Sequence, residues 1–207
     1  MNTKWNGLIN NLELLKDLKQ TFRHSVIYGV SRVSTKLTGF ILLPLYSSYF
    51  STNIYGVIVR VELIWQFLLV LFLFGLESGI IRWYSLNSDE NTKKKFLFTV
   101  FLFVFILNLI FLCLIYFSSG FLSGVIFESA DYSKLIILAS IVATAEAFIL
   151  IVFVLIRINN RPVLYTIFSV LITLINLVLQ VYFIKYSDIK LEGIYYSKIM
   201  MADYIKS

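Results

Sequence analysis

Long apolar stretches separated by short polar segments organise this chain. The longest stretch without a charged residue or histidine runs from Phe96 to Phe127, and similar stretches run from Leu37 to Val59 and from Pro162 to Ile184. A fourth stretch, Leu135 to Ile156, holds a single charge, Glu146. Because about 20 apolar residues of helix cross a hydrocarbon core roughly 30 Å thick, each stretch predicts a transmembrane helix. The pattern indicates a polytopic membrane protein.

The predicted fold is an all-α transmembrane bundle with five full spans and a truncated sixth. The full spans are predicted at His24–Phe50, Tyr55–Ile80, Phe96–Phe117, Leu135–Ile156 and Val163–Ile184, and the sixth begins near Leu191. Short connections place successive helices side by side and antiparallel. Two regions follow: an N-terminal segment, residues 1–23, and the bundle, residues 24–207. The spacing of leucines in residues 1–23 favours an amphipathic helix at the membrane surface, with a plain charged tail as the alternative.

The basic residues between the spans predict the orientation of the bundle. They concentrate in the N-terminal tail, in the second connection and in the fourth, at Lys4, Lys16, Lys19, Arg23, Arg82, Lys93, Lys94, Lys95, Arg157 and Arg161. The first connection has no charge, and the third and fifth balance lysines with acidic residues. Since cytoplasmic loops retain Lys and Arg, the N-terminus is expected in the cytoplasm, and the protein in the cytoplasmic (inner) membrane.

Composition and motifs narrow the function classes. Hydrophobic residues make up 59% of the 207 residues, and the net charge of +6 lies in short inter-span segments, so nucleic-acid binding is not expected. The single cysteine, Cys113, lies in an apolar run and excludes a disulfide framework. No phosphate loop, HExxH or nucleophile elbow is present. The sequence therefore predicts no enzyme, no catalytic residue, no cofactor and no metal site; a membrane-embedded transferase would need a catalytic carboxylate or histidine pair.

Charged residues inside the predicted spans are the candidate functional groups. A charge at a helix centre costs about 2.5–3.5 kcal/mol on insertion scales, so such groups usually face a bundle interior or a wet cavity. Glu146 lies in the middle of the fourth span, either as a structural hydrogen-bonded residue or as a lumenal, ion-coupled one. Glu62 lies in the second span, two residues from Arg60 and therefore on a different helical face. At least one of these two should meet another helix or a cavity.

The first predicted span combines basic residues with helix-bending ones. Arg32 and Lys36 are four residues apart and share a helical face. They either snorkel to headgroups or line a cavity that attracts an anionic substrate. Gly39 and Pro44 follow on the same helix. An intramembrane proline frees a backbone carbonyl, a common device where a helix must flex.

Two segments carry a resemblance to a known family. The first, Gly39-Phe-Ile-Leu-Leu-Pro-Leu-Tyr-Ser-Ser-Tyr-Phe-Ser-Thr-Asn-Ile-Tyr-Gly56, resembles the first-span signature of polysaccharide-biosynthesis flippases. These are the O-antigen and capsule repeat-unit translocases of the multidrug/oligosaccharidyl-lipid/polysaccharide superfamily. The second, Gly75-Leu-Glu-Ser-Gly-Ile-Ile-Arg-Trp-Tyr84, is similar to the pattern that closes the family's second span. Ser48 and Thr52 depart from the family, where a basic residue and a proline are usual.

The resemblance implies two lobes of helices around a central cavity, of which this chain would supply the N-terminal one. It implies a polyprenyl-diphosphate-linked oligosaccharide as substrate, with Arg32, Lys36 and Arg60 as the cations that meet its diphosphate. Membrane lipids, a second-lobe polypeptide and a polysaccharide polymerase are the implied partners. Because the chain stops about six spans in, it is expected to be a fragment or truncated product. The alternatives are a drug or cation antiporter of the same superfold and a non-functional remnant.

Overall fold

The computed structural model describes a bundle of α-helices, and no strand occurs among the residues it describes. These are residues 36–187 and 190–204, without the side chains of residues 190 and 202–204, and five earlier positions: Phe22, Val26, Gly29, Val33 and Ser34. The predicted surface helix of residues 1–23 and most of the first predicted span lie outside the described residues. The helices, in chain order, are α1 (residues 36–49), α2 (Thr52–Leu73), α3 (Leu76–Leu86), α4 (Glu90–Phe127), α5 (Ser133–Ile158), α6 (Pro162–Tyr186) and α7 (Lys190–Tyr204).

Four helical segments are long and apolar enough to cross a membrane. They are Thr52–Leu86, Glu90–Phe127, Ala130–Ile158 and Pro162–Tyr186. Each contains one of the predicted spans, from the second to the fifth. The helix at the predicted sixth span, α7, has 15 residues, fewer than the about 20 that a bilayer crossing needs. The described part of the chain therefore identifies an all-helical membrane protein with four candidate spans, and the predicted count of five and a partial sixth is not supported.

Helix α5 is the central element of the bundle, and α2, α3, α4, α6 and α7 all pack against it. Ala139, Ala143 and Ala147 recur every four residues on one face of α5 and are fully buried. They share an apolar cluster with Ile58 and Val61 of α2. Without a hydrophobic driving force in lipid, small side chains favour helix association because they let backbones approach closely. This face of α5 fixes α2 beside it.

The second candidate span is broken, although its apolar pattern predicts one continuous helix. Phe74 and Gly75 both adopt left-handed backbone angles, with φ of 49° and 69°, which ends α2 and starts α3. Glycine adopts this conformation without the steric penalty of a Cβ atom. The buried Asn108 of α4 donates from Nδ2 to the Phe72 carbonyl at 3.5 Å and to the Val104 carbonyl at 2.8 Å. An interhelical hydrogen bond therefore satisfies a carbonyl beside the break.

The helices extend beyond the span limits that hydropathy predicts. Helix α4 extends beyond the predicted span at both ends, because Asp89 caps its start and the backbone continues to Phe127. Glu128, with φ of 58°, ends the helix, and a short 3-10 turn at Ala130–Tyr132 leads into α5. The predicted loop Ser118–Lys134 is therefore mostly helix. Charged and small residues outside the lipid core still permit helix, so hydropathy underestimates helix length.

Helices α6 and α7 form a tight hairpin. A Cβ atom built on Gly193 of α7 would lie 2.6 Å from the Phe183 Cβ atom of α6. Glycine is the residue that permits this approach, since any other side chain would clash. Ile184 of α6 and Ile194 and Tyr195 of α7 are buried in the same cluster that contains α2 and α5. The hairpin thereby places the next turn of α7, with Lys198, against the centre of the bundle.

Candidate functional site

A cavity of about 920 Å³ lies among α1, α2, α5, α6 and α7. Most of its wall is apolar, with residues such as Leu42, Val142 and Ile149. Polar residues, including Thr38 of α1 and Asn176 of α6, interrupt that wall. Cavities with mostly apolar walls and a few convergent polar groups are the usual form of small-ligand sites. This cavity is the candidate functional site.

The charged residues of the wall are Lys36 of α1, Glu62 of α2, Glu146 of α5 and Lys198 of α7. The Lys198 Nζ atom lies 4.0 Å from a Glu62 carboxylate oxygen, at the outer limit of an ion pair. Lys198 also interacts electrostatically with Glu146. The Lys198 side chain is only 11% exposed, against 36% for Glu62. The Lys198 ammonium thus lies at the limit of contact with Glu62 and shares the cavity wall with Glu146; Glu62, Lys198 and Glu146 are called the charged triad below.

Aromatic side chains complete the surroundings of Lys198. Its Nζ atom lies 4.0 Å from the centroid of the Trp65 ring and 6.0 Å from that of Tyr195. An ammonium over an indole face is attracted by the ring quadrupole, more strongly where water is excluded. Trp65 also interacts with Glu146, but its buried Nε1 atom makes no hydrogen bond of acceptable geometry to a described residue. The buried Tyr195 hydroxyl likewise has no hydrogen-bond partner among the described residues.

A row of neutral polar residues connects three helices beside the triad. The Tyr46 hydroxyl of α1 donates to Gln180 Oε1 of α6 at 2.7 Å. Gln180 Nε2 in turn donates to Asn176 Oδ1 at 3.0 Å. The Ser197 hydroxyl of α7, next to Lys198 in sequence, lies 3.3 Å from the same Asn176 oxygen. These hydrogen bonds join α1, α6 and α7 on one side of the cavity.

The three triad residues lie at comparable depths in the bundle. In the predicted orientation α2, α5 and α7 all begin on the same, external side. At a rise of 1.5 Å per residue, Glu62 lies roughly 15 Å from the start of α2, Glu146 roughly 20 Å from that of α5, and Lys198 roughly 12 Å from that of α7. Each triad residue therefore lies at least two helical turns from the start of its helix.

The predicted site residues are distributed unevenly over this geometry. Lys36, Gly39, Glu62 and Glu146 line the cavity. Arg60 is exposed outside the cavity wall, and its guanidinium donates to the Ile126 carbonyl of α4 at 3.3 Å.

Of the two remaining predicted positions, Pro44 does not line the cavity and Arg32 is not among the residues that the structure describes. Pro44 is exposed, and α1 continues through it as a helix to residue 49. Of the three predicted cations, the structure therefore places only Lys36 at the cavity.

Sequence reasoning did not identify Lys198 or Trp65 as site residues. Lys198 lies on a helix that is too polar and too short to stand out as a span. A helical signal was nevertheless present, because Lys198 is three and four residues from Tyr195 and Ile194, which are buried. Among the residues that the structure describes, no cluster of three or more His, Cys, Asp or Glu residues could hold a metal ion. The chain matches no protein-family model, no curated protein and no solved structure.

Proposed function

We propose that this chain is the N-terminal lobe of a transporter that flips polyprenyl-diphosphate-linked oligosaccharides across the cytoplasmic membrane. The observation that carries the proposal is the cavity itself: an apolar wall that holds four charged side chains and several neutral hydrogen-bonding groups. Such a wall suits a substrate with a polar, charged head and a lipid tail. The two sequence segments that resemble polysaccharide-biosynthesis flippases support the same substrate class.

The proposed architecture has five spans and a partial sixth in this lobe, with the N-terminus in the cytoplasm. A second lobe, on a separate polypeptide or on a continuation of this one, would close the cavity on its open side. The position of the charged triad, at least two turns from the starts of α2, α5 and α7, supports this arrangement, because secondary transporters bind substrates near the bilayer centre between two repeats. Rocking of the lobes would expose the cavity to each side in turn.

The cavity residues have different proposed roles, according to their charge and hydrogen-bonding groups. Lys36 and Lys198, together with Arg32 four residues before Lys36 in the sequence, would attract the diphosphate by charge-assisted contacts. Asn176, Gln180 and Thr38 offer donors and acceptors to sugar hydroxyls. Glu62 and Glu146 balance the cations while the cavity is empty, and the polyprenyl tail stays in lipid.

The test is a flipping assay in liposomes that contain the purified chain, alone and with a candidate second-lobe polypeptide. A fluorescent short-chain prenyl-diphosphate disaccharide is placed in the inner leaflet, and its appearance in the outer leaflet is measured with a membrane-impermeant quencher. We expect appearance faster than in protein-free liposomes, and loss of that difference in Lys36→Met. The variant Lys185→Met, at the exposed end of α6, is the matched control and should flip like the wild type. Rates equal to those of protein-free liposomes in both preparations would reject the proposal.

A second candidate function, a drug or cation antiporter, is favoured by one specific observation. The Glu62 carboxylate and the Trp65 face each lie 4.0 Å from the Lys198 Nζ atom, Glu146 lines the same cavity, and these groups would bind an organic cation. In liposomes with an imposed pH gradient, an antiporter would move a fluorescent lipophilic cation, and Glu146→Gln would stop it. A flippase would not transport that cation in response to the pH gradient.

A further inference from the structure

The ion pair inside the cavity is looser than the ion pairs at the helix ends. Lys134 and Glu192 approach to 2.6 Å, and Arg157 and Glu77 to 2.7 Å, both in exposed positions. Lys198 and Glu62 are 4.0 Å apart, although the Lys198 side chain is almost completely enclosed. A desolvated ammonium gains most from close contact, since attraction rises as the dielectric falls. The position of Lys198 is therefore a compromise between Glu62, Glu146 and Trp65.

Two buried hydrogen-bond donors beside the ammonium lack a well-placed acceptor among the described residues. The Tyr195 hydroxyl is buried beside Lys198 without a partner among the described residues, and the Trp65 Nε1 atom, which interacts with Glu146, makes no hydrogen bond of acceptable geometry to a described residue. A buried donor left unpaired costs about 1–3 kcal/mol relative to a satisfied one. An anion with several acceptor oxygens, such as a phosphate, could satisfy these donors and contact the ammonium at once.

We propose that Lys198 is a displaceable counter-ion: a phosphate-bearing anion in the cavity draws the Lys198 ammonium away from Glu62 and Glu146, and the carboxylates left behind take up protons. This inference rests on the proposed function, and it assigns to the charged triad the coupling between substrate and protons. Each carboxylate that loses its ammonium gains one proton from bulk water on a carboxylate oxygen. Loss of the counter-ion makes the charged form of a carboxylate beside the apolar cavity wall more costly, which favours proton uptake on binding.

Other titratable groups also face the cavity or the ammonium. They are Lys36 and Tyr46 of α1, Tyr55 of α2, Tyr165 of α6 and Tyr195 of α7. Their presence makes it necessary to assign any proton uptake to the carboxylates by substitution, with the double variant Glu62→Gln/Glu146→Gln.

The experiment measures the affinity of the full chain in lipid nanodiscs for a soluble short-chain prenyl-diphosphate monosaccharide. Both phosphates of this probe are esterified and stay ionised across the range used, so its own charge does not change. Dissociation constants are determined at about pH 6, 7 and 8 by thermophoresis. Linkage predicts that, for each proton taken up on binding, the affinity weakens about tenfold for each unit by which the pH rises. We expect a slope of at least one proton in the wild type and none in Glu62→Gln/Glu146→Gln.

Two further variants test the role of Lys198 itself. Lys198→Met should weaken binding about tenfold or more, whereas Lys185→Met should bind like the wild type. Because Lys198→Met leaves carboxylates unpaired and can impair folding, Glu62→Gln/Lys198→Met serves as the second variant. This double variant should lose as much affinity as Lys198→Met does, and it leaves Glu146 as the one triad carboxylate without a counter-ion.

The outcomes separate the inference from the proposed function. Binding that is independent of pH in the wild type, or undiminished in both Lys198 variants, overturns the counter-ion role and leaves the flippase proposal intact. Absence of any binding to the wild type overturns both. A pH slope that persists in Glu62→Gln/Glu146→Gln assigns the protons elsewhere and also overturns the inference.

Discussion

The charges at the ends of the helices and the charges in the cavity follow opposite rules. At the ends, Arg157 contacts Glu77 at 2.7 Å with both side chains more than one-third exposed. In the cavity, Lys198 is enclosed but lies 4.0 Å from Glu62. The short ion pair thus lies in water, where it contributes little to stability. The long ion pair involves an enclosed ammonium, whose burial costs the most free energy.

This contrast shows which ion pair is structural. The Arg157–Glu77 pair joins α5 to α3 just after the break in the second span, and α3 begins with Glu77 in its first turn. It is a surface contact that orients a broken helix. The charged triad instead concentrates desolvated groups where apolar side chains would fill the space with less loss of free energy. Such an arrangement is retained for function in our proposal.

The largest predicted effect comes from breaking the cavity pair at its cation. Lys198→Met leaves Glu62 and Glu146 without the ammonium, and removal of one partner of a buried ion pair costs about 3–5 kcal/mol. We expect a loss of stability of about 3 kcal/mol, measured by denaturant titration in micelles. Arg157→Met, which breaks the exposed pair, should change the same quantity by less than about 1 kcal/mol.

A partial restoration distinguishes charge from packing in this prediction. Glu62→Gln/Lys198→Met removes one carboxylate together with the ammonium, so it should recover part of the lost stability. If Lys198→Met and Arg157→Met were equally stable, the cavity pair would be as solvated as the surface pair, and the contrast between the two regions would disappear.

The next effect concerns the helix that brings Lys198 to the cavity. Gly193→Ala would place a methyl group 2.6 Å from the Phe183 Cβ atom, so α7 must move away from α6. Forced overpacking costs about 1–3 kcal/mol. We expect a stability loss of about 2 kcal/mol.

The matched control for Gly193 is Gly120 of α4. Nothing lies within 4 Å of a Cβ atom at this exposed position. Gly120→Ala should be neutral or stabilising by up to about 1 kcal/mol, since alanine favours the helix. Equal effects of the two substitutions would mean that the α6–α7 contact does not position Lys198.

The sequence predicts the apolar spans well because lipid imposes a simple pattern on them. The spans from the third to the fifth each fall within one helix, and the second falls within the broken helical segment Thr52–Leu86. Glu62 and Glu146 are identifiable as site candidates because a charge in an apolar span has few explanations. Hydropathy does not predict the break at Phe74 and Gly75, since backbone geometry there depends on Gly75 and on Asn108 from another helix.

The part of the site that sequence reasoning did not predict depends on tertiary packing. Lys198 lies on a helix whose surroundings are polar in sequence, and the close approach at Gly193 together with the burial of Ile194 and Tyr195 makes that helix part of the bundle. Conversely, Arg60 is a charge within a span, yet it contacts the Ile126 carbonyl instead of the cavity wall. The helical face of a charged residue, and the neighbour it meets, decide its role.

The smallest predicted effect concerns a charge outside the spans and completes the contrast. Asp89 caps α4: the Thr92 hydroxyl donates to its carboxylate, and the Thr92 amide donates to it at 2.8 Å. These hydrogen bonds lower the pKa of Asp89 below its ordinary value. A lowered folded-state pKa means that the cap stabilises the helix fully above about pH 4 and loses its effect as the pH falls through the folded value.

We therefore expect the first turn of α4 to exchange its amide hydrogens faster at about pH 3 than at about pH 5, after correction for intrinsic exchange rates. Asp89→Ser keeps a capping oxygen but removes the charge, so this pH dependence should vanish in that variant. The same pH change should leave protection at the centre of α5 unaltered if exposed caps open locally. Equal pH dependence in the wild type and in Asp89→Ser would show that the carboxylate is not the group that titrates at this end of the bundle.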